Sequence, residues 1–169
     1  MELKIAILLL LSIVDLFFGL FVYFSNRRSP VNLFYGLAVF AVGLWSLGVF
    51  MFFHSDADQL RFWSNFIYLA GSLIVSNFFA FSLVFPQEVW RYSIFQTTAV
   101  YLPNLAFFIL LFFTDFVISG ALVLANGARN LSFGPLYFLY WLYFLVFLSS
   151  AFIILFRRYI RAKGIERLQ

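Results

Sequence analysis

Residues 5–34 read IAILLLLSIVDLFFGLFVYFSNRRSPVNLF. The first part, Ile5–Phe24, is apolar on every face apart from Ser12 and Asp15, and it ends in a short polar segment with two arginines and a proline before a second apolar run begins. A hydrocarbon core about 30 Å thick is crossed by a helix of about 20 apolar residues, so Ile5–Phe24 has the length and composition of one span. Pro30 stops the first helix from continuing into the second, which makes Ser25–Val31 a tight turn between the two spans.

Working outward, the same pattern recurs. Apolar runs occupy Asn32–Phe53, Phe62–Phe85, Ile94–Phe113 and Leu136–Phe156. With 64% hydrophobic and 11% charged residues, the chain has too little polar side chain to coat a water-soluble globule. Helices are preferred to a membrane barrel because barrel strands alternate apolar and polar residues, whereas these runs do not. The expectation is an all-α polytopic membrane protein. Residues 1–169 form a single domain of five transmembrane helices, spanning about 5–24, 32–53, 62–85, 94–113 and 136–156, with an external loop 114–135 and a cytoplasmic tail 157–169.

Orientation follows from the loops, since short loops rich in Lys and Arg stay on the cytoplasmic side. Taking alternate loops as inner gathers Arg27, Arg28, Arg91, Arg157, Arg158, Arg161, Lys163 and Arg167, and leaves only Lys4, Arg61 and Arg129 outside. The N-terminus is therefore expected outside and the C-terminus in the cytoplasm of a multi-pass cell-membrane protein. Arg27, Arg28, Arg91, Arg157 and Arg158 are expected to anchor the inner ends to the anionic leaflet. Trp63, Trp90, Tyr23, Tyr92, Tyr137 and Trp141 sit near span ends, as in an aromatic belt. The formal net charge of +4 is spread over these flanking loops rather than gathered on a soluble face, so nucleic acid is not an expected partner. The lipid bilayer is.

No metal site is expected, because the chain has no cysteine and a single histidine, His54. No hydrolase, metalloprotease or phosphate-loop motif occurs, so neither catalytic residues nor a cofactor are expected. Polar residues at membrane depth are the remaining signal, since each is costly without a partner or water. Asp15 falls near the middle of the first run, Asn104 near the middle of the fourth and Asn77 in the third. Pro103 frees the carbonyl of Ala99 one turn earlier. Asp15, Asn77, Pro103 and Asn104 are therefore the candidate polar pocket. Interhelical hydrogen bonding is the favoured reading of each polar side chain, and ligand or proton binding the competing one.

Ser72, Ser76 and Ala80 form a small-residue stripe on the third run, and Gly36 and Gly43 another on the second. Packing within one chain is the expected use of both, and a homodimer the alternative. In the outer loop, FVISGALVL and RNLSF have β character and flank Ala125-Asn126-Gly127-Ala128, so a short external β-hairpin closed by a type I′ Asn-Gly turn is expected between helices 4 and 5.

The run Asn26 to Phe34, NRRSPVNLF, followed by Trp45-Ser46-Leu47-Gly48, resembles the start of the seven-transmembrane N-terminal sensor region of membrane histidine kinases. Trp63 within RFWSNFIYLAG, the segment FFAFSLVFP, Phe133-Gly134-Pro135 and the tail RRYIRAKGIERLQ are similar to that region in order and spacing. The resemblance implies a membrane sensory input module of a two-component system, matching the first five spans. It further implies that a cytoplasmic signalling domain or partner kinase supplies the output, because the chain carries no phosphoacceptor histidine segment or ATP-binding motif of its own. The expected mechanism is a cue, external or dissolved in the membrane, that shifts helix packing and moves the tail. A small transporter or channel component and a membrane assembly subunit are the alternatives.

Overall fold

The computed structural model describes residues 2–86 and 93–166. Trp90, Arg91, Tyr92 and Arg167 lie outside the described residues. Five helices run α1 (Glu2–Ser25), α2 (Pro30–His54), α3 (Leu60–Val84), α4 (Ile94–Phe113) and α5 (Tyr137–Glu166), with strands β1 (Ile118–Val123) and β2 (Arg129–Phe133) between α4 and α5. Each helix contains a stretch long and apolar enough to cross a membrane. The mostly helical fold with one small two-stranded sheet is the fold class expected from the sequence.

The turn between α1 and α2 shows why its polar letters are there. Ser29 caps α2 by accepting from the Asn32 backbone N–H at 3.4 Å, and Pro30 takes the first helical position, where a missing N–H costs nothing. Asn32 reaches back and donates to the Val22 carbonyl at 3.2 Å, satisfying an otherwise orphaned acceptor in the last turn of α1. Arg27 lies over the Phe24 ring at 4.4 Å, and Arg28 is exposed.

Small residues set how closely α1 and α2 approach. A Cβ added at Gly19 would meet the Gly36 carbonyl oxygen and the Phe40 amide nitrogen at 2.7 Å, so the two backbones touch there. Ser12 donates to the Gly43 carbonyl at 2.9 Å in the same interface. In hydrocarbon the drive for such pairing is dispersion and interhelical hydrogen bonding, both of which require this closeness. The Gly36/Gly43 stripe thus packs within the chain. The Ser72/Ser76/Ala80 stripe does the same, with all three residues fully buried.

α3 is the central helix. It packs against α2, α4 and α5, whereas α1 packs along α2. Two arginines tie the ends. At one end of the bundle, Arg158 of α5 donates to the Leu83 carbonyl at 2.8 Å and to the Phe85 carbonyl, covering the C-terminal acceptors of α3. At the other, Arg61 of α3 pairs with Asp115 and donates to the Thr114 carbonyl at 3.1 Å, just past the end of α4. Asn65, one turn further along α3, donates to the Leu111 carbonyl at 2.6 Å.

The hairpin differs from expectation in its turn. Val123 pairs with Arg129, the Gly127 N–H donates to the Leu124 carbonyl at 2.8 Å, and Gly127 has φ +77°. The reversal is thus a four-residue turn, Leu124 to Gly127, ending on a left-handed glycine, rather than a two-residue type I′ turn on Asn126-Gly127. Asn126 prefers this arrangement because its Oδ1 accepts from the Ala128 N–H at 3.0 Å. The root of the hairpin is buried: Val117 and Ile118 pack with Phe107, Leu111 and Tyr140. Its second strand reaches α2, where Arg129 donates to the Phe52 carbonyl and lies 5.7 Å from the Phe52 ring centroid.

Candidate functional site

Where α3 meets α4 and α5, amide and hydroxyl groups form a closed node. Asn104, buried on α4, donates through Nδ2 to the Ser76 Oγ of α3 at 2.6 Å. Its Oδ1 lies 3.3 Å from the Tyr143 hydroxyl of α5, which lies 2.7 Å from Ser76 Oγ and 3.1 Å from the Ser72 carbonyl. One turn away, Asn77 donates to its own helix at Leu73 and accepts from the Tyr101 hydroxyl of α4 at 2.8 Å. Pro103 directly precedes Asn104, so the missing N–H locally loosens α4 beside the node.

Asp15 is placed apart from these residues. It is half-buried on α1, between the Ser12 and Gly19 contacts with α2, and its carboxylate has no hydrogen bond or ion pair among the described residues. The structure therefore brings Asn77, Pro103 and Asn104 together on adjoining turns of α3 and α4 and leaves Asp15 on the α1–α2 pair. Among the described residues no cluster of His, Cys, Asp or Glu could hold a metal ion. The node offers hydrogen-bond exchange between helices rather than proton transfer.

A second feature lies nearer the hairpin. α2 and α5 both lean on α3 but hardly pack on each other, and the space between them is a cleft of about 560 Å³. α3 forms its floor through Tyr68 and Gly71, α2 and α5 wall it with Trp45 and Trp141, and Leu131 of β2 roofs it. Gly71 matters here because a Cβ would meet the Tyr140 hydroxyl at 2.8 Å. That hydroxyl donates to the Tyr68 carbonyl at 2.8 Å, while the Tyr68 hydroxyl lies 3.2 Å from that of Tyr137.

Of these tyrosines the sequence marks only Tyr137, as a belt residue, and not its contact with Tyr68. The available signal is their spacing: Tyr137, Tyr140 and Tyr143 recur every three residues on α5, which places them along one side of the helix. Arg61, Arg129 and Arg158 were legible only as charges, since their carbonyl partners come from helices distant in sequence.

Five apolar helices, a buried polar node and capped helix ends define a multi-pass α-helical membrane protein. Among such proteins, the chain belongs to the family of the N-terminal 7TM region of histidine kinase, whose model matches residues 7–169. No curated protein and no solved structure matches the chain.

Proposed function

We propose that this chain is the sensory input module of a histidine kinase signalling system, receiving a cue within or outside the membrane and passing it to a kinase output domain, in the same or a partner chain, at its cytoplasmic end. The observation that carries the reading is the family match, which covers nearly the whole chain with a membrane sensor region. The arginine distribution supports an N-terminus outside and a C-terminus in the cytoplasm, with Arg27, Arg28, Arg91, Arg157 and Arg158 at the inner surface.

In this proposal the Asn77, Pro103 and Asn104 region is the part of the bundle that changes. Signalling needs two arrangements that a cue stabilises unequally. A node in which Tyr143 has three acceptors within 3.3 Å and a single proton to donate has more than one way to be satisfied. Asp15 is the second proposed site, as an acidic side chain without a partner among the described residues, at mid-span.

The test places the chain ahead of a kinase core and measures autophosphorylation. Asn104→Ala and Asp15→Asn should each change the basal level or the response while the protein still inserts and folds. Identical output from the parent and both variants, and from a version with the hairpin residues 124–128 replaced by a glycine linker, would remove the sensory reading.

A further inference from the structure

We propose that the cleft between α2 and α5 binds an uncharged, ring-bearing lipophile drawn from the hydrocarbon phase, with the Tyr68 and Tyr137 hydroxyl pair donating a hydrogen bond to a carbonyl or hydroxyl on it. The proposal deepens the sensory reading by naming the chemical class of the cue, and it rests on that reading for its biological meaning.

Four observations converge on this class. The volume of about 560 Å³ falls in the range of small-molecule sites. Among the described residues no charged side chain lines it, so a charged occupant would be desolvated without compensation. Trp45, Tyr68, Tyr140, Trp141 and Phe144 present ring faces and edges, which favour a flat ring over a flexible chain. The Tyr68 and Tyr137 hydroxyls hold two protons and share one hydrogen bond, leaving one donor beside the cleft for an acceptor on the ligand.

The cleft is also built rather than accidental. α2 and α5 are held apart by a common support on α3, and the floor is kept low by Gly71, where any side chain would strike Tyr140. The cleft opens between two apolar spans, so in this proposal its occupant enters laterally from the membrane.

Trp45 and Trp141 make the cleft its own reporter. In nanodiscs, the full chain is titrated with menadione, a flat uncharged naphthoquinone that quenches tryptophan. The expected result is a saturable loss of emission, above the background from Trp63 and Trp90. Val42→Phe at the wall and Leu131→Phe at the roof should each raise the half-saturating concentration about tenfold or more by removing space, and the double variant Tyr68→Phe with Tyr137→Phe about threefold by removing both hydroxyls of the donor pair. Ile109→Phe, on the exposed face of α4, should leave it unchanged. Having two filling variants guards against one that misfolds.

A linear, non-saturable loss, or equal curves for the parent and both filled variants, overturns the proposal. In discs of brominated-chain phospholipid, emission already lost before menadione is added, with no further saturable loss on addition, assigns the cleft to bulk acyl chain and overturns it too. The readout is binding alone. Failure here leaves the sensory reading standing, whereas silent kinase fusions with intact menadione binding would remove that reading and not this site.

Discussion

The Nδ2 of Asn104 lies 2.6 Å from the Oγ of Ser76, and this contact is the polar bridge between α4 and the buried stripe of the central helix. Hydrogen bonds between membrane helices contribute modestly, because the unfolded chain in the bilayer also finds partners. Asn104→Ala removes two such contacts at once and leaves Ser76 and Tyr143 to each other. Thermal denaturation in detergent should register a loss of about 1–2 kcal/mol. No loss would mean that the Asn104 contacts add nothing to the hold on α4.

Gly19 and Gly120 separate backbone contact from open space. At Gly19 a methyl group would strike the backbone of α2 at 2.7 Å, and backbone cannot rotate away. Gly19→Ala should therefore cost at least about 2 kcal/mol. At Gly120 the nearest atom to a new Cβ is that of Ser132 at 3.9 Å, so Gly120→Ala should be neutral within about 0.5 kcal/mol. Melting both variants side by side checks the contrast.

Arg158 covers two carbonyls at the end of α3 with one guanidinium. Arg158→Ala should lower stability by about 1 kcal/mol and free the last turns of α5, seen as increased mobility of a spin label at Ile160. Arg158→Lys should restore only part of the effect, since an ammonium lacks the two-pronged donor geometry. Full rescue by lysine would show that charge, rather than shape, is what that end of α3 requires.

Because the chain has no cysteine, orientation can be read with single introduced thiols. Asn126→Cys in the hairpin should react with a membrane-impermeant maleimide on intact cells. Asn26→Cys in the first turn should react only after permeabilisation. The reverse pattern would invert the proposed topology.

The spans were legible because a helix in lipid must be apolar all round, and a run such as Ile5–Phe24 states this without reference to any other part of the chain. The hairpin was legible from Asn-Gly between β-prone segments, yet its turn was not, because the Asn126 bond to the Ala128 N–H competes with the tight form. Asn77 and Asn104 stand out in the sequence as polar residues within apolar runs, but Ser76, Tyr101 and Tyr143, which satisfy them, look unremarkable in a sequence full of serine and aromatic residues. The cleft was invisible for a further reason. A void follows from which helices fail to touch, and no local pattern encodes that.

Arg129 fastens the second strand to the end of α2, and the Phe133 ring of the same strand stacks 3.9 Å from that of Tyr137 at the start of α5. The hairpin is thus a crosspiece joining two beams that hardly touch each other and both rest on the beam beneath them. In the proposed orientation, a tug on the crosspiece from outside and a wedge driven between the beams from the bilayer would act on the same gap.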